Sequence, residues 1–352
     1  MIEKAGKALL VAAALIAGAA PVFAESSVVC AIAAPTPSTG NIFYAVAQEA
    51  GFFKDEGLSV EFRYTAGGPI ATQMVGNGNA DVSEVSFEPV AAGYLNGVRG
   101  KYVFSGWSKL VYAIGVPEES PVKALADLQG KRLGAITIAS ASIPIAKSIF
   151  KSSGIQVDSS NFVPIGLGAS ALAALQSGQV AAYAANSYSF AVLARFGMKF
   201  RYFEHPRLSR VGNGGFFVST SLMQNRPKDV SGFMRAIAKS YVFTAANREA
   251  AVRMLWKAYP AVRGAGSDEE AMKAAMAELD VALPYFDLNP ASGKFGLFDS
   301  KAVDEYLQTL REEGVLSGSV TANEILTDQF LSTINEFDRG AVQRIARGWS
   351  KS

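Results

Sequence analysis

The stretch LSVEFRYTAGGPIATQMVGNGNADVSEVSFEPVAAGYLNGV, residues 58–98, decides the predicted fold. Apolar and polar side chains alternate along Leu58–Tyr64, which is typical of a β-strand. A Gly67-Gly68-Pro69 corner and a helix follow, and the order then restarts with a short strand at Val82 and a helix near Pro89. Such corners place free backbone N–H groups at the carboxyl ends of parallel strands, where open α/β sheets bind ligands. The stretch therefore predicts a ligand-holding cleft.

The same order of strand, polar corner and helix recurs on both sides of this stretch. A leading strand at 27–33 precedes it, and further units follow between about 131 and 205. This repetition predicts an α/β protein whose parallel strands are joined by crossover helices and grouped into two lobes. A strand at 216–220 is expected to return to the first lobe. The remaining pattern is mostly helical, and helices are also expected at 121–130 and 323–334.

These patterns divide the chain into three parts. Residues 1–24 are expected to be a signal peptide, residues 25–115 with 212–352 a discontinuous first lobe, and residues 116–211 the second lobe. The long helical C-terminal region is assigned to the first lobe as an extension.

The N-terminus predicts export. Lys4 and Lys7 precede an apolar run at 8–20, and small residues stand before a cut after Ala24, as in secretory signal peptides. A membrane anchor is disfavoured because the run is shorter than the roughly 20 residues a span needs. The mature protein is therefore expected to be exported. The single cysteine, Cys30, forms no internal disulfide and is expected to be buried in the first strand.

Composition excludes several functions. The net charge of +2 gives no basic field for nucleic acid or an anionic membrane surface. One cysteine and one histidine, His205, supply neither a metal-ligand cluster nor a CxxC motif, and no nucleophile elbow is present. We therefore expect no enzyme activity, no metal and no cofactor.

Five motifs, in their order and spacing, resemble one family. They are AQEAGFFKDEGLSVEF (47–62), GGPIATQMVGNGNADV (67–82), LADLQGKRLGA (125–135), ALAALQSGQVAAYAANSY (171–188) and GGFFVST (214–220). Together they resemble the periplasmic solute-binding proteins of ABC importers, in the group that takes nitrate, sulfonates, taurine or thiamine pyrimidine precursors. The resemblance implies the type II periplasmic-binding-protein fold, with two α/β lobes joined by a hinge and closing on one small molecule.

The resemblance also implies which corners contact the ligand. The corner residues carried over are Ser38, Thr39, Gly40, Gly67, Gly68, Ser86, Phe87 and Glu88 in the first lobe, and Ser140, Ala141, Ser142, Asn186, Ser187 and Tyr188 in the second. Many members carry Trp-Glu-Pro where this chain has Asn186-Ser187-Tyr188, which leaves the ligand class open.

The residues themselves leave alternatives. Ser140–Ser142, before a helix, suits an anion, but it equally suits an ordinary helix cap. Glu88 is favoured as a ligand group for an amine, although a first-turn acid also suits the helix dipole. Glu84 is interpreted as a solvated edge residue or a structural partner. Trp107 and Tyr188 are the aromatic side chains expected to form cleft walls.

The predicted function is capture of a small organic solute for delivery to an ABC permease and its ATPase. Small organic anions of the sulfonate, taurine or nitrate type rank first, and an aminopyrimidine or other aromatic solute ranks second. A pyrimidine-synthase-like enzyme is a third, disfavoured alternative. The protein is expected to be a monomer.

Overall fold

The structure, a computed structural model, describes residues 25–349, so the predicted signal peptide lies outside the described residues. The strands are β1 Ser26–Ile32, β2 Leu58–Tyr64, β3 Val82–Ser86, β4 Gly100–Ser105, β5 Tyr112–Pro117, β6 Leu133–Ala135, β7 Phe162–Pro164, β8 Ala182–Asn186, β9 Phe200–Phe203 and β10 Gly214–Ser219. The helices are α1 Ile42–Glu49, α2 Phe52–Asp55, α3 Gly68–Gly76, α4 Phe87–Leu95, α5 Ser142–Ser152, α6 Ala169–Gln176, α7 Ser187–Ala194, α8 Thr220–Asn225, α9 Pro227–Ala246, α10 Arg248–Ala258, α11 Pro260–Arg263, α12 Asp268–Ala282, α13 Ser300–Glu312, α14 Ala322–Ile325, α15 Leu331–Ile334 and α16 Arg339–Gly348. Short 3-10 turns lie at Thr39–Asn41, Leu125–Leu128, Ser159–Asn161 and Leu283–Tyr285.

The strands form two five-stranded sheets with the same topology. The first sheet has the order β2-β1-β3-β10-β4 and the second has the order β7-β6-β8-β5-β9. In each sheet the first three strands are parallel, and the fourth runs antiparallel to both of its neighbours. The α/β class and the two lobes predicted from the repeats are confirmed.

The chain enters the antiparallel strand of each sheet directly after leaving the other lobe. The chain leaves the first sheet after β4 and enters the second as β5, and it leaves the second after β9 and returns as β10. Two segments, 106–111 and 204–213, therefore connect the lobes. The division at 115/116 stays a prediction, but β5 begins at Tyr112 in the second sheet, which favours a boundary before that residue.

The first sheet is built from a buried centre and an exposed edge. β1 carries the apolar run around Cys30, which is buried with no exposed surface. β2 lies at the edge, and its outward-facing polar residues alternate with Val60 and Phe62, so the alternation predicted from sequence is present. Phe62 packs on Tyr44 of α1, with ring centroids 4.8 Å apart.

The C-terminal helices extend this lobe. The 20-residue helix α9 packs against α1, and its buried face includes Phe233 and Tyr241. α10 packs on α1 as well, and α12 packs against α10. These contacts place α12 beside the first-lobe corner at Thr39–Asn41.

Two predicted helices are wrong in extent. Between 121 and 130 only a 3-10 turn forms, at Leu125–Leu128, since the backbone is extended on both sides of it, at Ala124 and Gln129; the Asp127 carboxylate caps its start by accepting the N–H groups of Lys123 and Ala124 at 2.8 and 2.9 Å. The expected helix at 323–334 is broken at Leu326, which instead bridges to Tyr102 of β4. Pairing with a sheet edge thus outweighed local helix propensity.

Within residues 25–349, none of the helices is both long enough and apolar enough to cross a bilayer.

Candidate functional site

A cavity of about 590 Å³ lies between the two lobes. Its lining comes from strand-to-helix corners of both lobes and from the segment that joins α11 to α12. This volume is within the range of sites that enclose small organic molecules. The lobes touch each other around it: the Thr137 hydroxyl of the second lobe donates a 2.6 Å hydrogen bond to the Ala66 carbonyl of the first.

Two glycines of the first lobe allow this close approach. An ideal Cβ on Gly40 would lie 2.9 Å from the ring of Tyr188 in the second lobe. An ideal Cβ on Gly67 would lie 2.2 Å from the carbonyl oxygen of Ala139, also in the second lobe. Any side chain at either position would therefore hold the lobes apart.

Most of the predicted corner residues line this cavity. Those in the lining are Ser38, Thr39, Gly40, Gly67, Gly68, Ser86, Trp107, Ser140, Ala141, Asn186 and Tyr188. The structure thus brings corners of both lobes together, while the ligand role of each residue stays a prediction.

Four predicted residues lie outside the lining: Phe87, Glu88, Ser142 and Ser187. Each is the first or second residue of a helix, and each is buried. Phe87 is fully buried and packs on Tyr102 at 5.1 Å between ring centroids. The Ser142 hydroxyl pairs with that of Ser140 at 2.8 Å, but Ser142 is the first helical residue, and the N-cap position, Ala141, has no side-chain cap.

The two acids near this corner are placed opposite to the expectation. Glu88 is 3% exposed and accepts a hydrogen bond from the Tyr306 hydroxyl of α13, so it belongs to the core. Glu84 lines the cavity instead. It stands two residues before Ser86 in β3, on the same side of the strand.

Glu84 has a strongly perturbed pKa. Burial raises the pKa of its carboxyl from 4.5 to about 7, and the neighbouring Tyr44 hydroxyl offsets part of that rise. Glu84 keeps some solvent-accessible surface because it faces the cavity, and the walls of the cavity enclose it. Within residues 25–349 no basic side chain forms an ion pair with it.

One basic side chain, Arg195, is present in the described lining, and it is already paired. Its Nη1 lies 2.7 Å from Oε1 of Glu278 on α12. The other oxygen of Glu278 accepts a hydrogen bond from the Thr39 hydroxyl. The cavity therefore presents a neutralised guanidinium and a second carboxylate, Glu84, without a cation.

Four aromatic side chains, those of Trp107, Tyr112, Tyr188 and Phe196, contribute to the walls. The Trp107 indole lies beside the Tyr188 hydroxyl, and neither polar atom makes a hydrogen bond of normal geometry within the described residues. Burial raises the pKa of both tyrosines, so both stay neutral. Flat, partly polar walls of this kind suit an aromatic or amide-like group.

Sequence reasoning missed the walls supplied by later elements. These are chiefly Leu167, Gly168, Val192, Arg195 and Phe196 of the second lobe, and Ala261, Val262, Gly264, Ala265 and Glu278 of the extension. A signal for Glu278 was available. It falls on the apolar face of α12 with Ala271, Ala275 and Leu279, and a carboxylate there requires a partner.

The single histidine lies outside the cavity. His205, in the returning segment, places Nε2 at 3.1 Å from Glu313 and accepts backbone N–H groups at Nδ1. Across residues 25–349, no three His, Cys, Asp or Glu side chains converge in a way that could hold a metal ion.

Comparison with solved structures identifies the fold. A protein of Bordetella bronchiseptica RB50 superposes with a TM-score of 0.69 at 20% identity, covering 88% of this chain and 97% of that one. The alkanesulfonate-binding protein SsuA of Xanthomonas axonopodis pv. citri, bound to MOPS, gives 0.63 at 17% identity, with 84% and 96% covered. The aliphatic sulphonate binding protein SsuA of Escherichia coli gives 0.62 at 16% identity, with 86% and 92% covered. At these identities the likeness shows a shared periplasmic-binding-protein fold.

Sequence comparison identifies the family. No curated protein sequence matches the chain closely enough to count as a relative. A family model described as NMT1/THI5 like matches residues 38–251, which include every predicted corner of the cavity. With more than half of its length matched, and with the two-lobed fold of periplasmic binding proteins, this chain belongs to the NMT1/THI5-like family.

Proposed function

We propose that this protein is the solute-binding component of an ABC importer, which captures a small organic solute and delivers it to the permease and ATPase. Family membership, the two-lobed fold and a cavity between the lobes support this role. Solute contacts to both lobes would favour the closed arrangement and so drive closure. The proposal includes export to the periplasm with cleavage after Ala24, and a monomeric state.

For the ligand, we propose a small organic solute that carries a basic nitrogen. The observation that carries this proposal is Glu84, a carboxyl without a cationic partner in the cavity lining. A protonated amine would supply the missing charge, and an aminopyrimidine would pair with the carboxyl through its amino group and ring nitrogen. The aromatic walls formed by Trp107, Tyr112 and Tyr188 suit the aminopyrimidine.

An anionic group on the solute also has support. Six helices have their N-cap residue in the cavity lining: α1, α3, α4, α5, α6 and α7. Helix N-termini favour anions by roughly 0.3–1 kcal/mol each. A purely anionic solute such as nitrate would still face Glu84 and find Arg195 engaged. The sequence-based ranking therefore changes: solutes with a basic nitrogen, including the zwitterion taurine, come before plain anions such as nitrate.

Calorimetric titration of matched ligand pairs tests this ranking. Taurine is compared with ethanesulfonate, which lacks the amine, and hydroxymethyl-aminopyrimidine with its analogue without the amino group. In one of the two pairs, we expect tight binding of the compound that carries the amine or amino group and at least tenfold weaker binding of the compound that lacks it. Nitrate serves as the plain anion.

Two isosteric variants localise the effect. Glu84→Gln is expected to weaken binding of the nitrogen-bearing solute at least tenfold, whereas Glu88→Gln, buried outside the cavity, leaves the affinity within a factor of two or so. Tight binding of nitrate or ethanesulfonate that Glu84→Gln leaves unchanged would refute the proposed ligand class. The importer role would survive that result.

The proposal assigns no catalytic activity. The described lining contains neither histidine nor cysteine, and burial raises the pKa of its Glu84 carboxyl to about 7. Incubation of each binding solute with the purified protein, followed by mass spectrometry, is expected to return the solute intact. A chemically altered product would contradict the binding-protein role.

A further inference from the structure

The helix α12 of the C-terminal extension contacts both lobes. It packs against the Thr39–Asn41 turn of the first lobe and against α7 of the second. The turn before it, at Gly264, lies close to Arg195 at the end of α7: an ideal Cβ on Gly264 would meet Arg195 Nη2 at 3.3 Å. The extension thus forms part of the cavity wall and also spans the gap between the lobes.

Glu278 makes the polar contact in this span. One carboxylate oxygen accepts from the Thr39 hydroxyl, and the other lies 2.7 Å from Arg195 Nη1. The Glu278 side chain is 3% exposed and that of Arg195 is 25% exposed. Both oxygens are therefore satisfied, one by each lobe.

The two hydrogen bonds respond differently to opening. α12 also packs on α7, but its buried face, at Ala275 and Leu279, belongs to the same hydrophobic cluster as α1, α9 and α10, so the bond to Thr39 stays within the first lobe. The bond to Arg195 crosses to the second lobe and breaks when the lobes separate. Thr39 would then hold the carboxylate in place without its cation, and a partly buried, unpaired carboxylate is unfavourable.

We propose that the Arg195–Glu278 pair is an interlobe latch that stabilises the closed form and slows release of the solute. The part that concerns solute release rests on the proposed function. The part that concerns closure requires no ligand, so the two can be tested apart.

Distances between spin labels on the two lobes test closure in the solute-free protein. Gln73→Cys on α3 and Gln176→Cys on α6 provide exposed sites, and the native Cys30 is buried and does not take label. We expect Glu278→Gln and Arg195→Met to increase the longer-distance population at least threefold. The exchange of both charges, Arg195→Glu with Glu278→Arg, is expected to restore the original distribution at least in part.

Asp280→Asn is the matched control. It removes the 2.7 Å pair between Asp280, which is on α12 like Glu278, and Arg248 of α10; this pair is exposed and stays within the first lobe. This variant is expected to leave the distances unchanged. Thermal unfolding shows whether each variant is folded. Because Arg195 lies outside α12, a change in distance that Arg195→Met shares with Glu278→Gln does not come from local damage to α12.

Stopped-flow dissociation of a solute found by the titrations gives the second readout. Glu278→Gln is expected to accelerate release at least tenfold while association changes less. Unchanged distances in both latch variants, or an equal shift with Asp280→Asn, would refute the latch. If wild-type protein binds no solute, the importer role fails while the distance result still decides the latch.

Discussion

The carbonyl oxygen of Ala139 in the second lobe occupies the place where a side chain on Gly67 of the first lobe would begin. An ideal Cβ on Gly67 would stand 2.2 Å from that oxygen, far inside van der Waals contact. Both residues lie at strand-to-helix corners beside the cavity, and the neighbouring Thr137–Ala66 hydrogen bond joins the same two corners. The closed arrangement therefore depends on the absence of one methyl group.

Gly67→Ala is accordingly expected to impair closure without unfolding either lobe. The added methyl meets backbone rather than a flexible side chain, so the corners must separate by an ångström or more. We expect solute affinity to fall at least tenfold, measured by calorimetry, and the radius of gyration with solute bound to exceed that of the wild type. Gly348→Ala is the control, because no atom lies within 4 Å of its ideal Cβ. Wild-type affinity in Gly67→Ala would contradict this account of closure.

The α/β class and the two lobes could be predicted because the pattern of apolar residues in each strand matches the place of that strand in its sheet. The apolar run of β1 and the alternation in β2 are set by the environment of each strand in the sheet. The run that forms β5 shows what local patterns omit: extended structure was predicted, but its membership of the second sheet depends on pairing with β8 and β9. That pairing leaves no mark in the run itself.

The candidate site was predicted at the level of backbone corners and less well at the level of side chains. Ser86 ends a strand and lines the cavity as expected, whereas Glu88 is turned into the core toward Tyr306, more than two hundred residues away in sequence. The two-residue period of a strand would have paired Glu84 with Ser86. Arg195 and Glu278 come from distant helices, so no local spacing links them.

The pH dependence of binding is expected to identify the charge of the solute. Since the pKa of Glu84 is raised to about 7 in the free protein, a solute whose amine stays protonated binds the ionised carboxylate and displaces a proton. Its affinity should rise from pH 5.5 and level off above pH 7, by up to about tenfold per pH unit. A plain anion would show the opposite slope. Calorimetry at four pH values measures it, and a flat profile in Glu84→Gln is the control.

Glu84→Gln is also expected to make the solute-free protein more stable at alkaline pH. The folded-state pKa lies above the ordinary value of 4.5, so folding holds the proton more tightly, and stability is lost as pH rises through about 7. Removing the carboxyl should raise the free energy of unfolding by about 1 to 3 kcal/mol at pH 8, since water in the cavity offsets part of the burial. At pH 4 the variant and the wild type should agree. Urea unfolding at both pH values measures the difference, and a destabilised variant at pH 8 would contradict it.

His205 is expected to give stability the opposite pH slope. Its Nδ1 accepts the backbone N–H groups of Arg207 and Leu208 at 3.1 and 3.2 Å, so Nε2 carries the hydrogen and donates to Glu313. Burial lowers the pKa of the imidazole, with Glu313 acting against this shift and Arg207 in the same direction.

The neutral imidazole therefore contributes stability that is fully present above its unfolded pKa of about 6.5 and is lost as pH falls through the lower folded value. His205→Gln keeps a donor toward Glu313 but does not titrate. We expect the loss of unfolding free energy between pH 7 and pH 5 to be smaller in this variant than in the wild type. Thermal and urea unfolding across that interval measure the difference. An equal slope in the two proteins would show that protonation of His205 does not destabilise the segment through which the chain returns to the first lobe.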